Sequence, residues 1–256
     1  VSVHIILMLY AAGAVGGMLS SLVGGAAVVT YPALIASGIP PLSATVCNLT
    51  ASFPGTMFAA LSDRGQLPPF DRAFVTMLAA STLTGALGGA LLLATPERFF
   101  EILVPLLLGF ATLLFAFAQR AGDWLRARAV ARGRDHQLGV ADLKLVLPVS
   151  FYGGYFGAGV GFLMLGVMSV ATGGHYRSAN VAKNFIMSLN TGAAAAIFIV
   201  KGTVIWPQTL ALMAGTVSGG LTGAWLARVV PRGMMRVAVI ILGALLTIYF
   251  ARRYWF

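Results

Sequence analysis

Residues 119–142, QRAGDWLRARAVARGRDHQLGVAD, hold five arginines and form the one long polar stretch in a chain of 256 residues. On its N-terminal side lie five apolar runs, at about 3–23, 26–38, 42–62, 70–94 and 99–118. Five more follow it, at about 143–159, 160–173, 178–200, 206–228 and 232–251. The stretch therefore divides the chain into a first repeat (1–118), a basic loop (119–142) and a second repeat (143–256).

Composition says what surrounds these runs. Hydrophobic residues make up 59% of the chain and charged residues 9%, against about 25% charged in a globular domain. Mean hydropathy is +0.89. So few charges cannot cover a water-facing surface, so the partner of most of the exterior is the lipid bilayer. The fold class expected is an all-α polytopic membrane protein. The N-terminal run VSVHIILMLY lacks a basic flank and a small-residue cleavage site, and reads as a first membrane segment.

A net charge of +10 in a soluble chain would suggest nucleic acid. Here no nucleic-acid-binding module or basic–aromatic stripe accompanies it, and the basic residues fall in loops, where they hold the cytoplasmic side of an inner-membrane protein. With the central loop inside, twelve basic residues lie on that side: Arg64, Arg72, Arg120, Arg126, Arg128, Arg132, Arg134, Lys144, Arg177, Arg228, Arg232 and Arg236. Arg98, Lys201, Arg252 and Arg253 lie on the other.

The two halves repeat one order of features. Gly16-Gly17 recurs as Gly153-Gly154, Ser43-Ala44 as Ser178-Ala179 and Gly65 as Gly202, at offsets of 135 to 137 residues. In each half glycines interrupt the first two runs: Gly24 and Gly25 in one, Gly157, Gly159 and Gly161 in the other. Residues 3–38 as one helix would measure about 54 Å, far more than a hydrocarbon core of about 30 Å. The pair is thus either two crossings or a re-entrant hairpin. An odd topology per half makes the repeats inverted, and broken helices at matching places point to a transporter's binding site. Close packing of small residues would also account for the glycines. Pro54-Gly55 aligns with Thr191-Gly192 and marks a further expected helix break, with an inert kink as the alternative.

The acidic residues sit at segment ends or in the central loop, which argues against a cation substrate and against a carboxylate proton relay. Lys183 is the single basic residue well inside an apolar run. Asn180, Asn184 and Ser188 follow at i, i+4 and i+8 beside it, and the matching segment of the first half carries Asn48, Thr50 and Ser52. A fixed positive charge flanked by amides and hydroxyls fits a small anion. Two bland readings stand beside this one: Lys183 snorkels to the interface, and the polar faces are interhelical hydrogen-bond glue.

Cys47 is alone, and the three histidines lack metal-ligand spacing, so no metal and no cofactor is expected. No nucleophile elbow, paired aspartates or P-loop is present, so neither catalysis nor ATP-driven pumping has visible machinery. Nothing in the sequence speaks against a homo-oligomer.

The openings GGMLSSLVGGAAVVTYPALIASGIP and GGYFGAGVGFLMLGVMS, with NLTASFPGTMFAALSDRGQL and SANVAKNFIMSLNTGAAAAIFIVKGTVIW, resemble the sulfite exporter TauE/SafE family of membrane permeases. The first opening departs from it in carrying Gly24-Gly25-Ala26-Ala27, where the family often has a longer glycine run. The resemblance implies export of sulfite, small organosulfonates or other small organic anions. It also implies substrate contacts at Asn180, Lys183 and Asn184, with Asn48, Thr50 and Ser52 as counterparts. The expected function is a secondary transporter working by alternating access. Its competitors are an anion channel and a membrane enzyme or assembly factor.

Overall fold

The computed structural model describes residues 1–22, 24–131, 140–172, 175–226 and 232–255. Hydropathy sets the element boundaries, since a main chain in lipid must satisfy its own hydrogen bonds. Every apolar run becomes a helix. The first half gives α1 (Val3–Leu22), α2 (Ala27–Ala36), α3 (Pro41–Leu61), α4 (Arg72–Ala94) and α5 (Glu97–Val130). The second gives α6 (Val140–Tyr155), α7 (Val160–Ala171), α8 (Tyr176–Val200), α9 (Trp206–Leu226) and α10 (Arg232–Trp255). A short 3-10 turn, Arg64–Gln66, joins α3 to α4, and no strand occurs among the described residues.

The chain is a multi-pass membrane protein. Among the described residues, α1, α4, α8 and residues 97–117 of α5 are each long and apolar enough to cross a bilayer. On α5, Phe100, Val104, Leu108, Ala111 and Phe115 are buried, while Phe99, Ile102, Leu106, Phe110, Leu113 and Phe117 are exposed. Both stripes are apolar at helical spacing, so one face packs on protein and the other on lipid. Beyond Phe117, α5 continues to Val130, taking in half of the polar stretch expected as a loop. Its Ala, Leu and Arg residues are strong helix formers, and nothing there stops the helix. Residues 132–139 of that stretch lie outside the described residues.

The chain breaks between α1 and α2, where Gly24 has φ +88°, and between α6 and α7, where Gly157 and Gly159 have φ +79° and +78°. L-residues avoid this region, which is why glycines stand there. Gly161 is already inside α7, and Gly24 packs on it so closely that a methyl group on Gly24 would sit 2.7 Å from the Gly161 Cα. The two breaks thus meet in the middle of the protein. After the first break α2 returns along α1, placing Thr30 beside Gly16. At 10 and 12 residues, α2 and α7 are about 15 and 18 Å long and too short to span.

One expected break is absent. α3 runs through Pro54 and Gly55 to Leu61. A proline costs a membrane helix one hydrogen bond, which neighbouring helices tolerate. Gly55 instead lets α3 approach α9 at Thr216 and Gly220.

Contacts fix the helix directions. α1 is parallel to α9, with Gly13 on Gly215 and Gly17 on Gly220. α3 is antiparallel to α8, with Phe53 at Gly192 and Met57 at Ser188. α4 is parallel to α8, with Gly85 at Asn190 and Gly89 at Ala194, and to α6, with Ser81 at Ser150 and Gly85 at Gly154. α5 and α10 are antiparallel, with Ile102 at Trp255 and Thr112 at Gly243. The pairings recur with the halves exchanged: α1 packs on α9 as α6 does on α4, α3 on α9 as α8 does on α4, and α5 on α7 as α10 does on α2.

One end of the bundle gathers the end of α3 and the start of α8, where Arg177 donates two hydrogen bonds to Asp63 at 2.6 and 2.8 Å. Arg64, Arg72 and Lys144 belong to the same end. The opposite end gathers the starts of α3 and α5, where the Leu42 N–H donates to Glu97 Oε1 at 3.1 Å. Arg98, Lys201, Arg252 and Arg253 fall there.

Candidate functional site

Where the two breaks meet, the end of α1, the starts of α2 and α7, and the middles of α3 and α8 line a partly open pocket with about 520 Å³ of empty space, open solvent included. Ala26 and Ala27 at the start of α2, and Gly161 at the start of α7, line it. The first N–H groups of a helix have no intrahelical partner and carry partial positive charge. The starts of two half-helices therefore border one space, an arrangement that favours anions, although the Val28, Val29 and Phe162 N–H groups are taken by the Gly25, Ala26 and Gly159 carbonyls.

Lys183 lines the same cavity with 1% of its surface exposed. Its ammonium donates to the main-chain carbonyl of Ser20 at the end of α1, at 3.0 Å. The side chain turns inward to the broken helix and not outward to the interface, so the snorkelling reading does not describe this structure. No described carboxylate lines the cavity, and the single ion pair among the described residues is Arg177 with Asp63. Burying an unpaired ammonium costs a few kcal/mol, and a partner anion would offset that cost.

Asn184, one residue on, also lines the cavity, and its Oδ1 is buried without a partner. An unsatisfied buried acceptor calls for a donor, such as a water, and leaves the Asn184 NH2 as the group that can serve an anion. Asn48 and Ser52 reach the cavity from α3, where Asn48 Oδ1 accepts from the Thr30 hydroxyl at 2.6 Å. Met187, Leu49 and Ala27 supply apolar wall. A smaller space of about 210 Å³ adjoins it, sharing Ser20, Ala26, Ser52 and Thr56, with Gly17, Gly55 and Thr216 behind.

The structure thus brings Lys183, Asn184, Asn48, Ser52, Gly24, Gly157 and Gly161 around one space. Three other residues expected at the site face elsewhere. Asn180 is absent from the cavity wall and donates through Nδ2 to the Ser21 carbonyl at 2.8 Å. The Thr50 hydroxyl donates to the Val46 carbonyl of its own helix. Ser188 donates to the Phe185 carbonyl and approaches Met57 Sδ. Hydroxyls on helices often satisfy themselves this way. Gly25 packs under the Phe115 ring, and Gly159 packs on Ala111.

Sequence reasoning missed Thr56 and Thr191 on the cavity wall. Both extend stripes already noticed, Thr56 at i+4 from Ser52 and Thr191 at i+7 from Asn184, and that spacing was the available signal. It also missed Asn190, fully buried, whose Nδ2 donates to the Ser81 and Ser150 carbonyls, both at 2.9 Å. This amide fastens α4 and α6 to α8, away from the cavity.

The family model for the sulfite exporter TauE/SafE matches residues 9–250. The chain belongs to the sulfite exporter TauE/SafE family. It is similar to three proteins described as probable membrane transporters. The ORF9 protein of Sinorhizobium sp is 30% identical, over 86% of this chain and 82% of the relative. A Haemophilus influenzae protein is 25% identical, over 96% and 94%. The YfcA protein of Escherichia coli K12 is 23% identical, over 94% and 87%. No solved structure matches the chain. As a member of a transporter family, the chain places its glycine breaks and its buried lysine within the matched region.

Proposed function

We propose that this protein is a secondary transporter that exports a small anion, sulfite or an organosulfonate, across the plasma (inner) membrane by alternating access. The observation that carries the reading is the buried ammonium of Lys183, with no carboxylate beside it among the described residues, in a cavity bordered by the N-termini of α2 and α7. The ammonium supplies the full charge, the helix starts supply N–H donors, and the NH2 groups of Asn184 and Asn48 with the Ser52 hydroxyl orient the oxygens. Leu49 and Met187 would receive the carbon end of a sulfonate.

The two halves, 1–118 and 143–256, act as inverted repeats joined by the basic segment 119–142. Support comes from direction: α1, α3 and α5 each run opposite to α6, α8 and α10, while the pairings recur with the halves exchanged. An exchange that reverses every helix has its axis in the membrane plane. Rocking of the halves about the meeting point of Gly24 and Gly161 would expose the cavity to either side. The basic end of the bundle is cytoplasmic by the positive-inside rule.

The test is reconstitution into liposomes with sulfite, sulfoacetate, sulfate and simple carboxylates offered separately. Saturable uptake of sulfite or sulfoacetate in preference to carboxylates supports the reading. Flux that rises without saturation would make the protein a channel, and turnover of the substrate without a gradient would make it an enzyme.

A further inference from the structure

Thr30 is fully buried on α2, outside the cavity wall, and its hydroxyl faces two acceptors: the Ala26 carbonyl at 2.9 Å and Asn48 Oδ1 at 2.6 Å. A hydroxyl has one proton to give. The separation to Asn48 is the shorter, and lies at the close end of the range for such bonds. Asn48 lines the cavity from α3, and among the described residues Thr30 is the side-chain partner of its amide. With Oδ1 taken by Thr30, the group left to face the cavity is the NH2.

An asparagine reversed about its last torsion would present the opposite polarity. Its Nδ2 would donate to the Thr30 oxygen, its Oδ1 would face the cavity, and the Thr30 proton would go to Ala26. The two arrangements fill the same space and differ only in whether the cavity meets a donor or an acceptor. Beside Lys183, a donor adds to anion binding and an acceptor subtracts from it.

We infer that Thr30 is a positioning residue for anion selectivity: its hydroxyl holds the Asn48 amide with the NH2 toward the cavity. Gly16 belongs to the same device, because a methyl group there would press on the Thr30 Cγ2 at 2.5 Å. This inference rests on the anion-site reading above.

The experiment measures radiolabelled sulfite uptake into proteoliposomes by wild type, Thr30→Ser, Thr30→Val, Asn48→Leu and the Thr30→Val/Asn48→Leu pair, with thermal unfolding of each in detergent. Thr30→Val keeps the shape and removes the proton, so apparent KM should rise about tenfold with little change in maximal rate. Thr30→Ser should stay within about twofold of wild type. Thr30→Val should add nothing to Asn48→Leu, since residues acting through one another are not additive. A loss that comes from weakened packing would instead lower the unfolding temperature and persist in the Asn48→Leu background. Unchanged or lowered KM in Thr30→Val, or full additivity in the pair, overturns the inference while leaving the anion site standing. Absence of saturable uptake of both sulfite and sulfoacetate by wild type overturns the anion site and this inference together.

Discussion

The Lys183 ammonium, on the eighth helix, donates to the Ser20 carbonyl at the end of the first, across 3.0 Å. One contact so joins the two halves at the point where the first of them breaks. A cation at a helix C-terminus meets the negative end of its dipole and an orphan carbonyl. The same ammonium lines the cavity and has two further protons to offer. Lys183 therefore has a structural bond and a charge turned to the cavity at once.

Asn180 tests the structural part. Its amide donates to Ser21 at 2.8 Å without reaching the cavity. Asn180→Ala should lower stability by about 1 kcal/mol, seen as a lower unfolding temperature in detergent, while the apparent KM for sulfite changes less than about threefold. A loss of anion affinity as large as that of Lys183→Ala would make Asn180 a substrate ligand after all.

Gly24 tests the break itself. Its φ of +88° and its contact with Gly161 both oppose a side chain. Gly24→Ala should cost about 2 kcal/mol or more and shift the protein toward aggregation on size-exclusion chromatography. A monodisperse variant with unchanged unfolding temperature would mean that the breaks do not meet as described.

Orientation is open to labelling. Arg64 lies at the basic end of the bundle and Lys201 at the other, while the native Cys47 is buried. In intact cells a membrane-impermeant thiol reagent should modify Lys201→Cys and spare Arg64→Cys. The reverse pattern would invert the topology and the direction assigned to export.

Much of this architecture is legible in the chain because hydropathy and glycine are blunt signals. Apart from α5, which runs on through the polar stretch to Val130, the apolar runs end close to where the helices end, and glycines stand at the breaks because positive φ leaves few alternatives. The site is legible in part. Lys183 and Asn184 stand out because a charge and an amide inside an apolar run are costly there. Which neighbour each polar group faces is a different matter. Asn180 shares a stripe with Asn184, yet turns to Ser21, and Ser188 and Thr50 satisfy themselves on their own helices. Thr30, inside the run AVVTYPALIA, reads as one more β-branched filler until α3 is folded against it. Those assignments depend on packing between elements far apart in the chain, which one helix's periodicity does not contain.

If the buried charge binds the substrate, removing it weakens saturable uptake without unfolding the protein. Saturable sulfite uptake into proteoliposomes should be compared between wild type, Lys183→Ala and Lys183→Arg at equal reconstituted protein, with thermal unfolding confirming the fold of each. Loss of a charge-assisted bond predicts an apparent affinity lower by about ten- to a hundredfold in Lys183→Ala, with partial recovery in Lys183→Arg, whose planar guanidinium presents its donors differently. Equal affinity and rate in wild type and a folded Lys183→Ala would contradict the account, leaving Lys183 with only its bond to Ser20.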